Sequence, residues 1–162
     1  MRAPCLFRGA CPALAREGDW CHAERPAEPP PLVAQIAKAA GLRREAVKMS
    51  YLVLAPRGEG WPAPPHGRTF RIVSEPLAGK GRRRYMGCGP EGRMGLSLQE
   101  KHQAEGNRRF ERLLRGDVIR ATGGEPRGDG LALDAASTVE VVAPAGQPVP
   151  AAEPAAPGAP AP

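Results

Sequence analysis

Large side chains are scarce in this sequence. Two Trp, two Tyr and three Phe make up only 4% of its 162 residues. So few aromatics build a thin core, which gains from an extra staple such as a bound metal. Long apolar runs are missing too. None approaches the ~20 residues of a membrane-spanning helix, so no membrane partner is expected. A secretory apolar stretch is also lacking. Arg2, Arg8 and Arg16 without a single acid suggest a mitochondrial transit peptide at first sight. Pro4, Cys5, Cys11 and Pro12 interrupt any amphipathic helix there. The bias toward Ala, Gly, Pro and Arg fits a GC-rich bacterial genome, and the expected compartment is a reducing bacterial cytoplasm. There, clustered cysteines bind metal more often than they form disulfides.

Three stretches follow from composition. Residues 1–31 are rich in Cys, His and Pro and read as a metal-binding segment. Residues 32–143 read as a small β-rich domain with a basic helix. Residues 144–162, "PAGQPVPAAEPAAPGAPAP", cannot offset their ordering entropy by burial and read as a disordered, partly polyproline tail. Within the middle stretch, "LVAQIAKAAGLRREAV" predicts a short helix ending near Ala40, with Gly41 as its C-terminal cap. "SYLVLA" (50–55) predicts a buried strand. Residues 56–67 hold four prolines and predict a loop. "RTFRIVS" (68–74), "RRRYMGC" (82–88) and "RMGLSLQ" (93–99) predict strands, the last two joined by a turn at "GPEG". Phe110, Leu113 and Leu114 at i, i+3 and i+4 predict a helix with one apolar stripe, ended by Gly116 and Asp117. "VIRAT" and "STVEVVA" predict the last strands. The fold class is α+β, with about five short strands in a partly closed sheet or barrel and two helices.

Charge is focused. The chain carries +6, yet the stretch from His66 to Arg120 alone has thirteen Lys and Arg against six Asp and Glu, or +7. A patch of this kind implies a polyanionic partner, with nucleic acid first. Arg82, Arg83, Arg84, Arg108, Arg109, Arg112 and Arg115 are the candidate phosphate contacts. Phe70 and Tyr85 offer either base stacking or core packing, and core packing is the stronger reading.

Four cysteines stand at Cys5, Cys11, Cys21 and Cys88. Thiolates are soft ligands, and four of them suit zinc or an iron–sulfur cluster. Zinc modules usually supply ligands as short C-x2-4-C knuckles, and the gaps here are wider. A [4Fe–4S] cube is larger and takes one cysteine at each corner. Zinc remains the alternative cofactor. His22 directly follows Cys21 and either donates to a cluster sulfur or stands in for a cysteine as a zinc ligand. Cys88 would tie the N-terminal segment to the sheet. "GCGPEG" (87–92) matches the G-x-G-x-x-G pattern literally. A dinucleotide loop needs a helix opening inside it, whereas Pro90 and the strand-like run that follows predict a hairpin turn.

The strings "CLFRGACP", "DWCH" followed by Arg25, "SYLVLAPR", the late Cys88 and "RRFERLLRGD" together resemble the C-terminal region of a known family. It is the methyltransferase-like proteins of small-ribosomal-subunit (mitoribosomal) assembly and their bacterial relatives. The resemblance spans residues 5 to about 120 and differs at Ala23, where an aromatic residue is usual, and in a longer gap from Cys11 to Cys21. It implies a [4Fe–4S] cluster on Cys5, Cys11, Cys21 and Cys88, and engagement of small-subunit ribosomal RNA or the assembling subunit. It also implies an N-terminal S-adenosylmethionine domain, which these residues do not contain. The chain is therefore expected to be the back half of a longer protein or of a split one. On its own it is expected to be non-catalytic, with a separate methyltransferase-domain chain as a further partner. The alternatives are a zinc-dependent nucleic-acid-binding module, and the C-terminal half of a split rRNA methyltransferase.

Overall fold

In the computed structural model the described residues are 5–6, 10–15, 17, 21–42, 46–51, 67–90, 92–147 and 149. The cysteine-rich stretch has more regular structure than its prolines suggest. After a 3-10 turn at Pro12–Ala15, β1 (Ala23–Pro26) pairs antiparallel with β2 (Ala46–Met49), Ala23 facing Met49. Helix α1 (Pro31–Ala39) lies between them in sequence. Pro31 takes the first helical position, where an N–H would have no partner anyway. Gly41 caps the other end, as its position predicts. It adopts φ 65°, and the Gly41 and Leu42 amides donate to the carbonyls of Lys38 and Ala37. Ser50 and Tyr51 are not in a strand, and the rest of the predicted 50–55 strand lies outside the described residues. So do most of the predicted 56–67 loop and most of the 144–162 tail.

The main sheet comprises β3 (Thr69–Ile72), β4 (Leu77–Gly79), β5 (Arg82–Gly89), β6 (Gly92–Gln99), β7 (Val118–Thr122), β8 (Glu125–Arg127), β9 (Gly130–Leu133) and β10 (Thr138–Ala143). Its order is β10-β7-β3-β5-β6-β9-β8, and β4 lies beside the first half of β5. Every pairing is antiparallel except β6 with β9. Among the described residues the strands do not close into a barrel, so of the expected partly closed sheet or barrel it is the sheet that forms. One edge is the three-residue β8, and Pro126 at its centre has no amide hydrogen to extend a ladder. The "GPEG" stretch is a hairpin turn between β5 and β6, with Gly89 opposite Gly92.

One face of the sheet holds the main core: Phe70, Ile72, Tyr85, Leu96, Leu98, Ile119, Leu131, Leu133 and Val139. Phe110 covers it, its ring meeting Tyr85 edge-to-face at 5.1 Å and 87°. Phe70 and Tyr85 are thus core residues. Gly89 lets β3 approach: a methyl group there would sit 2.5 Å from the Thr69 carbonyl oxygen.

The predicted basic α-helix is instead two 3-10 pieces, Glu100–His102 and Glu105–Arg112. The buried residues Asn107, Phe110 and Leu113 fall at steps of three, the repeat of a 3-10 helix, whereas Leu114 is 65% exposed. Asn107 sets this geometry. Its Oδ1 accepts the Ala104 amide, and its Nδ2 donates to the carbonyls of His102 and Asp134, pinning the segment to the β9–β10 turn. No helix among the described residues is long and apolar enough to cross a membrane.

Candidate metal centre and basic surface

Strand alternation decides what surrounds Cys88. Tyr85, Gly87 and Gly89 point to the core, so Arg82, Arg84, Met86 and Cys88 share the opposite face. Register then builds a row across this second face. Cys88 is opposite Arg71 on β3 and opposite Arg93 on β6, while Arg71 is opposite Val118 on β7. The N-terminal segment lies over this row. Leu6 is buried against Val118 and Ala143. Pro12 reaches the β5–β6 turn, its Cγ 3.8 Å from where a Cβ on Gly92 would be. Leu14 donates its amide to the Cys11 carbonyl.

All four cysteines are free thiols. Burial pushes the Cys88 thiol up to about 11, and the charges of Cys5, Cys21 and Cys11 push the same way while Arg93 opposes. Burial and then Cys21 and Cys11 raise Cys5, against Arg71. Burial and then Cys11 raise Cys21, against Arg93, Arg115 and Arg71. Such mutual repulsion requires the thiols from residues 5–21 and from β5 to lie near one another. A cation at their centre would reverse it, since metal coordination favours the thiolate. In type, the four thiols are donors that a thiolate-bound metal or cluster takes. Among the described residues, no group of three or more His, Cys, Asp or Glu side chains is closed to coordination distance.

Arg115 anchors the N-terminal segment to the sheet. Its guanidinium donates to the Val73 carbonyl, to Glu24 Oε2 at 2.7 Å and to His22 Nε2 at 3.0 Å. Arginine has no acceptor, so His22 Nε2 must offer its lone pair and the ring proton sits on Nδ1. In that tautomer neither ring nitrogen has a lone pair left for a metal, and Nδ1–H serves as a donor. Burial works against the Glu24 carboxylate, but the Arg115 hydrogen bond and the Lys48 charge outweigh it and hold its pKa below the ordinary value.

The remaining arginines differ in availability. Arg83 is bound to the Glu111 carboxylate and carbonyl, and Arg108 pairs with Glu105. Arg82, Arg84, Arg109 and Arg112 are exposed. Arg82 and Arg84 sit on the Cys88 face of β5, Arg109 and Arg112 on the 3-10 segment. Arg115 faces inward. Sequence reasoning missed Arg71 and Arg93 as neighbours of the thiols. The turn between Gly89 and Gly92 does contain the signal for Arg93, because it forces residue 88 opposite residue 93.

No family model matches this chain, and no match exists among the curated proteins or the solved structures.

Proposed function

We propose that this chain is an iron–sulfur-cluster-stabilised RNA-binding module of a methyltransferase-like protein of small-ribosomal-subunit assembly, non-catalytic on its own and acting in the bacterial cytoplasm. The observation that carries the proposal is the seating of the N-terminal segment, by Leu6 on Val118 and Ala143 and by Pro12 at the β5–β6 turn, over the sheet face where Cys88 lies between Arg71 and Arg93. Cys5, Cys11, Cys21 and Cys88 would hold the cluster. Bound there, it would join residues 5–21 to β5 covalently and supply the staple that a thin core lacks. Arg71, Arg93 and Arg115 would offset the negative charge of four thiolates and the cluster. Arg82, Arg84, Arg109 and Arg112 would contact phosphates, positioning the protein on small-subunit ribosomal RNA and making affinity steeply salt-dependent.

Iron, sulfide and zinc content after oxygen-free purification tests the cofactor. Four irons and matching sulfide per chain, with the broad visible absorption of thiolate-bound iron, are expected. One zinc and no iron would replace the reading with a zinc-dependent nucleic-acid module. The RNA part is tested by binding to small-subunit ribosomal RNA at two salt concentrations. S-adenosylmethionine binding by this chain alone would overturn the non-catalytic assignment.

A further inference from the structure

The sheet face that carries Cys88 continues along β5 to Arg84 and Arg82, and there it opens into a concavity of about 350 Å³. Register explains the shape. Arg84, Ser97, Ala132 and Glu125 form one row across β5, β6, β9 and β8, and Arg82 faces Gln99 beside it. In the next row Gly95 faces Gly130, which in turn faces Arg127. Two adjacent glycines leave that stretch of sheet without side chains. Lys101 overhangs the site from the 3-10 turn that follows β6, and Asp134 closes the end of β9.

The charges in this concavity are unevenly committed. The side chains of Arg82, Lys101 and Arg127 are exposed and make no hydrogen bond or ion pair with any other described residue. Asp134, in contrast, is occupied within its own turn, its Oδ1 accepting from the Ala136 amide and the Ser137 hydroxyl. Glu125 is the one remaining acid on the lining. Three uncommitted cations around a polar floor select an anion. The volume exceeds that of a bare phosphate and lies at the small end of sites for organic ligands, roughly 300 to 1,000 Å³. Ser97 and Gln99 add neutral donors and acceptors of the kind that read base edges and ribose hydroxyls.

We propose that this concavity is a nucleoside-phosphate site, with Arg82, Lys101 and Arg127 holding the phosphate and Gln99 and Ser97 facing the sugar or base. The same chemistry is offered by one unit of an RNA strand and by a free mononucleotide. We assign the strand, and in that respect the inference rests on the RNA-binding reading above.

The test uses the full chain, purified without oxygen. Fluorescence anisotropy follows a fluorescein-labelled oligouridylate, and amide NMR shifts follow UMP and AMP. The double variant Lys101→Ala/Arg127→Ala removes two exposed side chains, and thermal melting checks its fold. A second double variant, Arg109→Ala/Arg112→Ala, removes two cations from the 3-10 segment. The expected result is a roughly tenfold or greater loss of oligouridylate affinity for the first variant. Its log–log salt slope should fall by about 1.4, or ~0.7 for each contact to a single strand. UMP should shift the Gln99 and Ser97 amides. If only the second variant weakens binding, the concavity assignment falls while the RNA reading stands. Weakening by both variants is expected if the RNA reading also holds, but without UMP shifts at Gln99 and Ser97 it overturns the concavity assignment, the cations then acting as diffuse charge. UMP binding at Gln99 without oligouridylate binding keeps the site, makes the free nucleotide its ligand and overturns the RNA reading. Binding of neither probe removes both.

Discussion

Arg71 and Cys88 stand directly opposite each other on the antiparallel strands β3 and β5, on the sheet face away from the main core. A permanent cation is thereby built in beside Cys88. Arg71 Nη1 reaches the Gly116 carbonyl at 3.3 Å, and its buried Nε has no hydrogen-bond partner among the described residues. That N–H is available to a sulfur.

Replacing Arg71 with Met removes a charge that lowers both Cys5 and Cys21. Their thiols become harder to ionise. In metal-free protein, iodoacetamide labelling of these two cysteines at neutral pH should slow several-fold, read by mass spectrometry of digested peptides. Arg71→Lys retains the charge and should label at close to the parent rate. Equal slowing in both variants would mean that charge is not the cause.

The raised Cys88 thiol sets an alkaline limit for the metal-free protein. Its pKa is pushed from an ordinary 9.0 to about 11 in the folded chain. The folded state thus holds this proton more tightly than the unfolded state. The resulting stability is fully present below about pH 9 and is lost as the pH rises through about 11. Denaturant midpoints across that range should fall. Cys88→Ser should flatten the profile.

Arg115→Met leaves Glu24 and His22 without the cation that holds them to the sheet. About 1–3 kcal/mol of local stability should be lost, because a half-buried charge-assisted hydrogen bond is removed. Hydrogen exchange should quicken over β1 and β2 and stay unchanged in β5 and β6. Acid should act in the same direction. Glu24 has a lowered pKa, so its contribution is present above the ordinary carboxylate value and is lost as pH falls through the folded one.

Asn107→Ala removes the acceptor of the Ala104 amide and the donor to two carbonyls in one fully buried position. The expected cost is about 2–4 kcal/mol. Asn107→Asp keeps the acceptor and loses the donor, so it should also destabilise at neutral pH. Thermal melting distinguishes both from Arg109→Ala, an exposed change that should stay within about 0.5 kcal/mol.

Local signals were readable where neighbouring residues alone decide the structure. Gly41 could be placed as a helix cap because its amide and that of Leu42 close on the helix they follow. The β5–β6 hairpin could be read from its glycines and Pro90. Glu125–Arg127 carries no strand signal of its own, since a three-residue strand with a central proline exists only because β9 lies parallel on β6. That pairing is tertiary. The 3-10 segment was read as α because Phe110, Leu113 and Leu114 span too few turns to separate a period of 3.0 from 3.6, and Asn107 decides between them through contacts at Asp134. The cysteine positions were legible from their crowding and composition. Their arginine neighbours required strand register, and the inward turn of Arg115 required a partner, Glu24, far away in sequence.

The packing of Leu6 on Val118 and Ala143 also orders events in time. Leu6 leaves the ribosome long before the strands it rests on, so its cradle does not exist until β7 and β10 have been synthesised and zipped together. Until then Cys5 beside it lacks the partial cover it has in the folded chain. That one thiol is thereby more open to oxidants during synthesis than in the finished fold.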